Sequence, residues 1–174
     1  MNINKTKINI VLKKSIKNLT LIKILLKIPV PWVFVITYLI GVVLQVIFPF
    51  KFQSVEAINF ILVAGFALFA TGAFFAAWSL IIFHRARTTT TPGEQSAKLV
   101  TEGPYRLTRN PMYISLILAY LGEVGFLNQI WPLLVLPLML LYVNWIVIPI
   151  EENLLRNDFK SEYENYCKFV RRWF

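Results

Sequence analysis

The chain has 174 residues, 57% of them hydrophobic and 16% charged, and a formal net charge of +9. That apolar share exceeds the roughly 45 to 50% usual for soluble domains and excludes an ordinary water-soluble fold. A single cysteine, Cys167, excludes an intrachain disulfide and a thiolate metal cluster, and no metal site is expected.

In chain order, residues 1–28 carry no acid and alternate Lys with Ile and Leu, which predicts an interfacial helix on an anionic leaflet. Pro29 and Pro31 separate it from the first span, and no small-residue cleavage pattern follows, so an anchored span is expected rather than a removed leader. Apolar stretches at 32–50, 57–83, 112–127 and 130–150 then predict four transmembrane helices, the third being the shortest. The expected fold is all-α and polytopic. Its organisation is a basic segment over 1–28, two spans within 29–83, and an 84–174 unit comprising a loop, a transmembrane hairpin and a C-terminal amphipathic helix.

Every basic residue except Lys51 falls before the first span, between the second and third, or after the fourth. By the positive-inside rule both termini and the 84–110 loop are cytoplasmic. The bias follows membrane topology closely enough that no nucleic-acid partner is expected. A leader rich in Lys, Ile and Asn fits a bacterial cytoplasmic membrane. The lipid bilayer is the partner this pattern implies, and the oligomeric state is left open.

Within the second span, Gly72, Ala73, Ala76 and Ala77 read as a small-residue helix-packing row. The run Thr88 to Thr91 with Pro92-Gly93 reads as a loop. Residues 98–113 are denser in chemistry. Pro104 restricts Gly103, Pro111 suits the first turn of the third helix, and Asn110 is then expected to cap it. Arg109 would stand beside a helix N-terminus that already favours anions. Of the other polar residues, Glu123 is expected at the outer interface, Asn144 as a tie between helices, and His84 at the interface.

Glu151-Glu152 lies where the fourth span ends and opposes the positive trend. Adjacent helical residues point about 100° apart, so one is expected to face the bundle and the other water or an arginine. Leu155, Phe159, Tyr163, Tyr166 and Val170 follow a 4-4-3-4 spacing, which predicts one apolar-aromatic face, either an interfacial anchor or a lid over a cytosolic pocket.

The ordered set LVTEGPYRLTRNPMY (99–113), an apolar hairpin, Glu151-Glu152, Phe159, Tyr163, Tyr166 and Val170-Arg171-Arg172 resembles the catalytic half of the isoprenylcysteine carboxyl methyltransferase family, with related patterns in phospholipid N-methyltransferases. It covers roughly residues 97 to 173. The resemblance implies a membrane methyltransferase that uses S-adenosylmethionine on a lipophilic acceptor. By position, it implies cofactor contacts at Lys98, Leu99, Val100, Tyr105, Arg109, Asn110, Pro111, Met112, Tyr113 and Glu151. Glu152, Tyr163, Tyr166, Arg171 and Arg172 are expected on the substrate side or in a lid. No acid or base is assigned, Arg109 and Asn110 being the catalytic candidates, because in-line methyl transfer to an ionised acceptor needs alignment and water exclusion.

Two positions depart from the family. Asn110 stands where many relatives have His, and Val147 where eukaryotic members carry an Arg one turn before the first Glu. The acceptor is therefore open between an isoprenylcysteine-like carboxylate, a phospholipid, and a small lipophilic amine or thiol. An NADPH-dependent reductase resembling the sterol reductases, with their Tyr-Cys pair matching Tyr166-Cys167, is a second enzyme class, although no Gly-rich phosphate loop is present. A non-catalytic membrane scaffold is the third reading.

Overall fold

The computed structural model describes residues 29–50, 55–86 and 98–173, with side chains in the second stretch described from residue 59. The expected 1–28 helix and the 88–93 loop lie outside the described residues. Helix α1 spans Val30–Ile47, α2 Val55–Ala86, α3 Pro111–Phe126 and α4 Ile130–Tyr142. A π-turn at Val143–Val147 joins α4 without a break to α5, Ile148–Phe169. No strand occurs among the described residues.

Three helical stretches among the described residues are long and apolar enough to cross a membrane: Val30–Ile47, Asn59–Ala86, and one window within the helical run Ile130–Phe169. Helix α3 has 16 residues, about 24 Å at 1.5 Å rise, which is short of a roughly 30 Å hydrocarbon core. The outward faces are apolar, as a lipid-facing surface requires: Val46, Phe60, Leu138 and Trp145 are each more than two thirds exposed. These features define an all-α membrane protein.

Packing runs in two layers, α2 along α3 and α1 along α4. The first pairing depends on glycine. A Cβ built on Gly72 would stand 2.7 Å from the Ser115 carbonyl oxygen, and one on Gly122 would stand 2.7 Å from the Gly65 carbonyl oxygen. Gly72 of the expected small-residue row is therefore at the contact, while Ala73 and Ala77 are exposed. In lipid, where apolar burial provides little drive, such close approach supplies the van der Waals contact that joins helices.

Polar side chains close the second pairing. Gln45 is buried in α1, and its Oε1 accepts from the amides of Ile130 (3.1 Å) and Trp131 (3.2 Å), two first-turn donors of α4 that have no partner within their own helix. Trp131 Nε1 donates to the Phe48 carbonyl (2.7 Å), and Tyr38 donates to Gln129 (2.8 Å).

Two sequence expectations need correction. Asn110 occupies the residue before α3 but makes no side-chain cap, because its amide is engaged elsewhere. The 4-4-3-4 face is not continuous either, since Lys160 has φ 44° and ψ −117°, which breaks α5 into two helical pieces. Leu155 and Phe159 belong to the piece that continues from the membrane. Tyr163 and Tyr166 belong to a second piece redirected by the break.

Candidate active site

The segment before α3 is shaped by one glycine and two prolines. Gly103 has φ +59°, the left-handed region that glycine enters without penalty, and even a Cβ there would meet Trp78 and Ile82 at 3.0 Å. Pro104 opens a single 3-10 turn, Gly103–Arg106, which buries Tyr105. Tyr105 lies on Phe83 of α2 with ring centroids 5.2 Å apart, and its carbonyl accepts from the Tyr166 hydroxyl at 2.6 Å. Burial, with the nearby Tyr166 and Glu151, pushes the Tyr105 phenol far above its ordinary range, so it stays protonated.

Residues 108–110 are stitched to the chain end. The Arg109 amide donates to the Arg171 carbonyl at 3.0 Å. Thr108 Oγ1 and Asn110 Nδ2 both donate to the Arg172 carbonyl at 2.9 Å. Trp173 Nε1 donates to Asn144 Oδ1 at 3.1 Å, so Asn144 ties the π-turn to the tail. The break at Lys160 is what brings this strap, with Tyr163 and Tyr166, back against the 98–113 segment.

The two glutamates diverge as adjacent helical residues must. Glu151 accepts from the Tyr113 hydroxyl at 2.6 Å. Glu152 is buried and faces two arginines. Arg172 grips it with both ends of its fork, Nε to Oε1 at 3.1 Å and Nη2 to Oε2 at 2.7 Å, while Arg109 Nη2 reaches Oε1 at 3.1 Å. That carboxylate holds the Arg172 guanidinium above its already high range. Arg109 Nη1 also contacts Cys167 Sγ, and its Nε is buried with no partner.

These elements enclose a cavity of about 410 Å³, within the roughly 300 to 1,000 Å³ range of small-molecule sites. Lys98, Leu99, Val100, Tyr105 and Arg109 line it from the loop, and Asn110, Pro111, Met112 and Tyr113 from the start of α3. Glu151, Glu152, Tyr163 and Tyr166 line it from α5. Arg171 is exposed, and Arg172 stands behind Glu152; neither lines the cavity. The apolar wall was not anticipated: Pro29, Val30 and Pro31 from α1, Leu80 and Phe83 from α2, and Leu116 from α3. Leu154, Leu155 and Asp158 complete the α5 side, and these three were findable, since they lie three, four and seven residues after Glu151 on one helical face.

Fold and cavity together define a membrane protein with a largely apolar cavity at one end of its helices, into which a few polar side chains converge. The chain belongs to the phospholipid methyltransferase family, whose model matches residues 60–162, more than half its length. The matched segment contains α3, α4, the 98–110 segment and both glutamates. No curated protein and no solved structure matches the chain.

Proposed function

We propose that the protein transfers a methyl group from S-adenosylmethionine to a lipophilic acceptor in the bilayer. The observation that carries this is the cavity: one wall presents Arg109, Asn110, Tyr113 and Glu151, and the other is apolar and built from three membrane helices. The polar wall suits the cofactor's chemistry. Arg109, which lines the cavity, offers a guanidinium to a carboxylate. Glu151 suits an ammonium, a sulfonium or a ribose diol. Leu99 and Tyr105 provide an apolar and aromatic surface for a purine. When bound, the cofactor supplies an electrophilic methyl on a cationic sulfur. An amine acceptor would react as its free base, having given its ammonium proton to solvent; its lone pair would form the new bond to carbon as the carbon–sulfur pair returned to sulfur, giving a methylated ammonium and a neutral thioether. The protein's part is to hold the donor and acceptor in line and to exclude water.

The acceptor is read as an amine lipid rather than an isoprenylcysteine-like carboxylate. Val147 is fully buried and uncharged, and the α5 face that lines the cavity offers Glu151 and Asp158, which disfavour a second anion. The sidedness that goes with this reading puts the cavity and both termini in the cytoplasm and the helices in a bacterial cytoplasmic membrane.

The test is binding of S-adenosylmethionine and, separately, NADPH to detergent-purified protein, with Glu151→Gln alongside. Saturable cofactor binding that weakens about tenfold in the variant is the expected result, in line with loss of a charge-assisted contact. NADPH binding alone would replace this reading with a reductase, and binding of neither by folded protein would leave a scaffold.

A further inference from the structure

Among the described residues, two cations line the cavity: Lys98, which is exposed, and Arg109, whose side chain is only 14% exposed. The nitrogens of Arg109 are unequally used. Nη1 meets Cys167, Nη2 meets Glu152, and Nε has no partner although it is buried. An unpartnered buried donor is costly to keep, and this one belongs to a side chain that lines the cavity.

The charges around Glu152 bear on the same side chain. Within its direct contacts one carboxylate faces two guanidinium groups, while the neighbouring Glu151 is engaged by the Tyr113 hydroxyl and not by either arginine. Arg172 makes the bidentate contact and the shortest one, 2.7 Å, whereas Arg109 reaches a single oxygen at 3.1 Å. The excess charge therefore lies on Arg109, the residue that lines the cavity, two positions before the N-terminal end of α3, where the helix dipole adds positive potential.

We propose that Arg172 is a positioning residue that engages Glu152 and so leaves Arg109 available to bind a carboxylate group of the ligand. This rests on the cofactor reading above, and the carboxylate is that of the cofactor's amino-acid end. Arg172 does not touch the ligand. Its backbone carbonyl, which receives Thr108 and Asn110, is independent of its side chain. Side-chain variants therefore alter the charge balance while leaving the strap in place.

The test uses the full chain in detergent and two ligands measured by calorimetry. S-adenosylhomocysteine carries the amino-acid end, and 5′-methylthioadenosine shares the adenosine and sulfur but lacks it. In the wild type the first should bind more tightly. Arg172→Gln lets Arg109 pair fully with Glu152, and S-adenosylhomocysteine affinity should fall about tenfold while methylthioadenosine affinity stays within about twofold. Arg172→Lys, which restores charge without the fork, should recover part of the loss. Equal losses for both ligands would show that Arg172 only holds the fold together and would overturn the proposal. No loss for either ligand would overturn it as well. If the wild type bound both equally, the cofactor reading would stand and the Arg109 carboxylate site would fail; binding of neither would overturn both.

Discussion

Among the described residues, Glu152 is the one on which both ion pairs converge. It is 6% exposed, and both of its oxygens are engaged by guanidinium groups. Removing one member of a buried ionic network is worse than never having built it, because the remaining charges lose their compensation in a low dielectric. In Glu152→Ala, Arg109 and Arg172 would face each other with no anion between them. Arg172 is 30% exposed on its side chain, so water screens part of the repulsion. The expected loss is about 2 to 3 kcal/mol, below the roughly 3 to 5 kcal/mol of fully buried pairs. It is measured as a lowered unfolding midpoint in detergent. Adding Arg172→Ala to Glu152→Ala should recover part of that loss, and a double variant no more stable than the single one would show that like-charge repulsion is not the cause. The sequence makes the Glu pair conspicuous and correctly anticipates that its two members diverge. It does not say which arginine pairs with which glutamate. Arg109 and Arg172 lie at opposite ends of the hairpin unit, and only the folded tail brings them to one carboxylate.

At the scale of elements, helix limits were the most legible feature, because apolar runs bounded by Pro29, Pro111 and Gln129 mark them directly. The helix contacts were less so. Gly72 was picked out from its small neighbours, whereas Gly65, Gly122 and Gly125, which complete its seam with α3, were not. Substituting Gly72→Val would force a branched side chain against the Ser115 carbonyl, where even a Cβ would stand at 2.7 Å. Overpacking of this kind costs about 1 to 3 kcal/mol, and the expected result is a lower unfolding midpoint, with Ala73→Val on the exposed side nearly silent. The break in α5 was invisible to periodicity, because Lys160 is a good helix former and the 4-4-3-4 spacing runs straight through it. Its φ of 44° with ψ of −117° strains any residue with a Cβ, by roughly 1 to 3 kcal/mol. Lys160→Gly should therefore stabilise the protein, by about 1 kcal/mol after the added chain entropy of glycine. Lys160→Ala should leave stability unchanged, because it keeps the Cβ. A Gly variant less stable than the Ala variant would mean that the backbone there is not strained.

For the whole molecule, the strongest constraint is that one cavity is lined by the beginning of α1, the end of α2, the beginning of α3 and the region just past the π-turn. Those four places must lie at the same end of the bundle, which is where the four crossings expected from the sequence would put them. Among the described residues, the basic side chains Arg85, Lys98, Arg106 and Arg109 lie at that end, and in the sequence Lys51 falls between the first and second apolar stretches. Each observation was reached independently, one from charge and the other from geometry. Together they predict the sidedness of two exposed positions, Glu102 beside the cavity and Phe50 at the far end of α1. In a Cys167→Ser background, Glu102→Cys should react with a membrane-impermeant maleimide only in inverted vesicles, and Phe50→Cys only in intact spheroplasts. Reaction of both from one side would mean that α2, the helix between them, does not span, and the apolar wall formed by Leu80 and Phe83 would then come from a helix lying along the membrane surface. Reaction from opposite sides but in the reversed sense would keep the four crossings and place the cavity outside the cytoplasm. No S-adenosylmethionine pool would serve it there, so the sidedness experiment tests the proposed chemistry as directly as a binding measurement does.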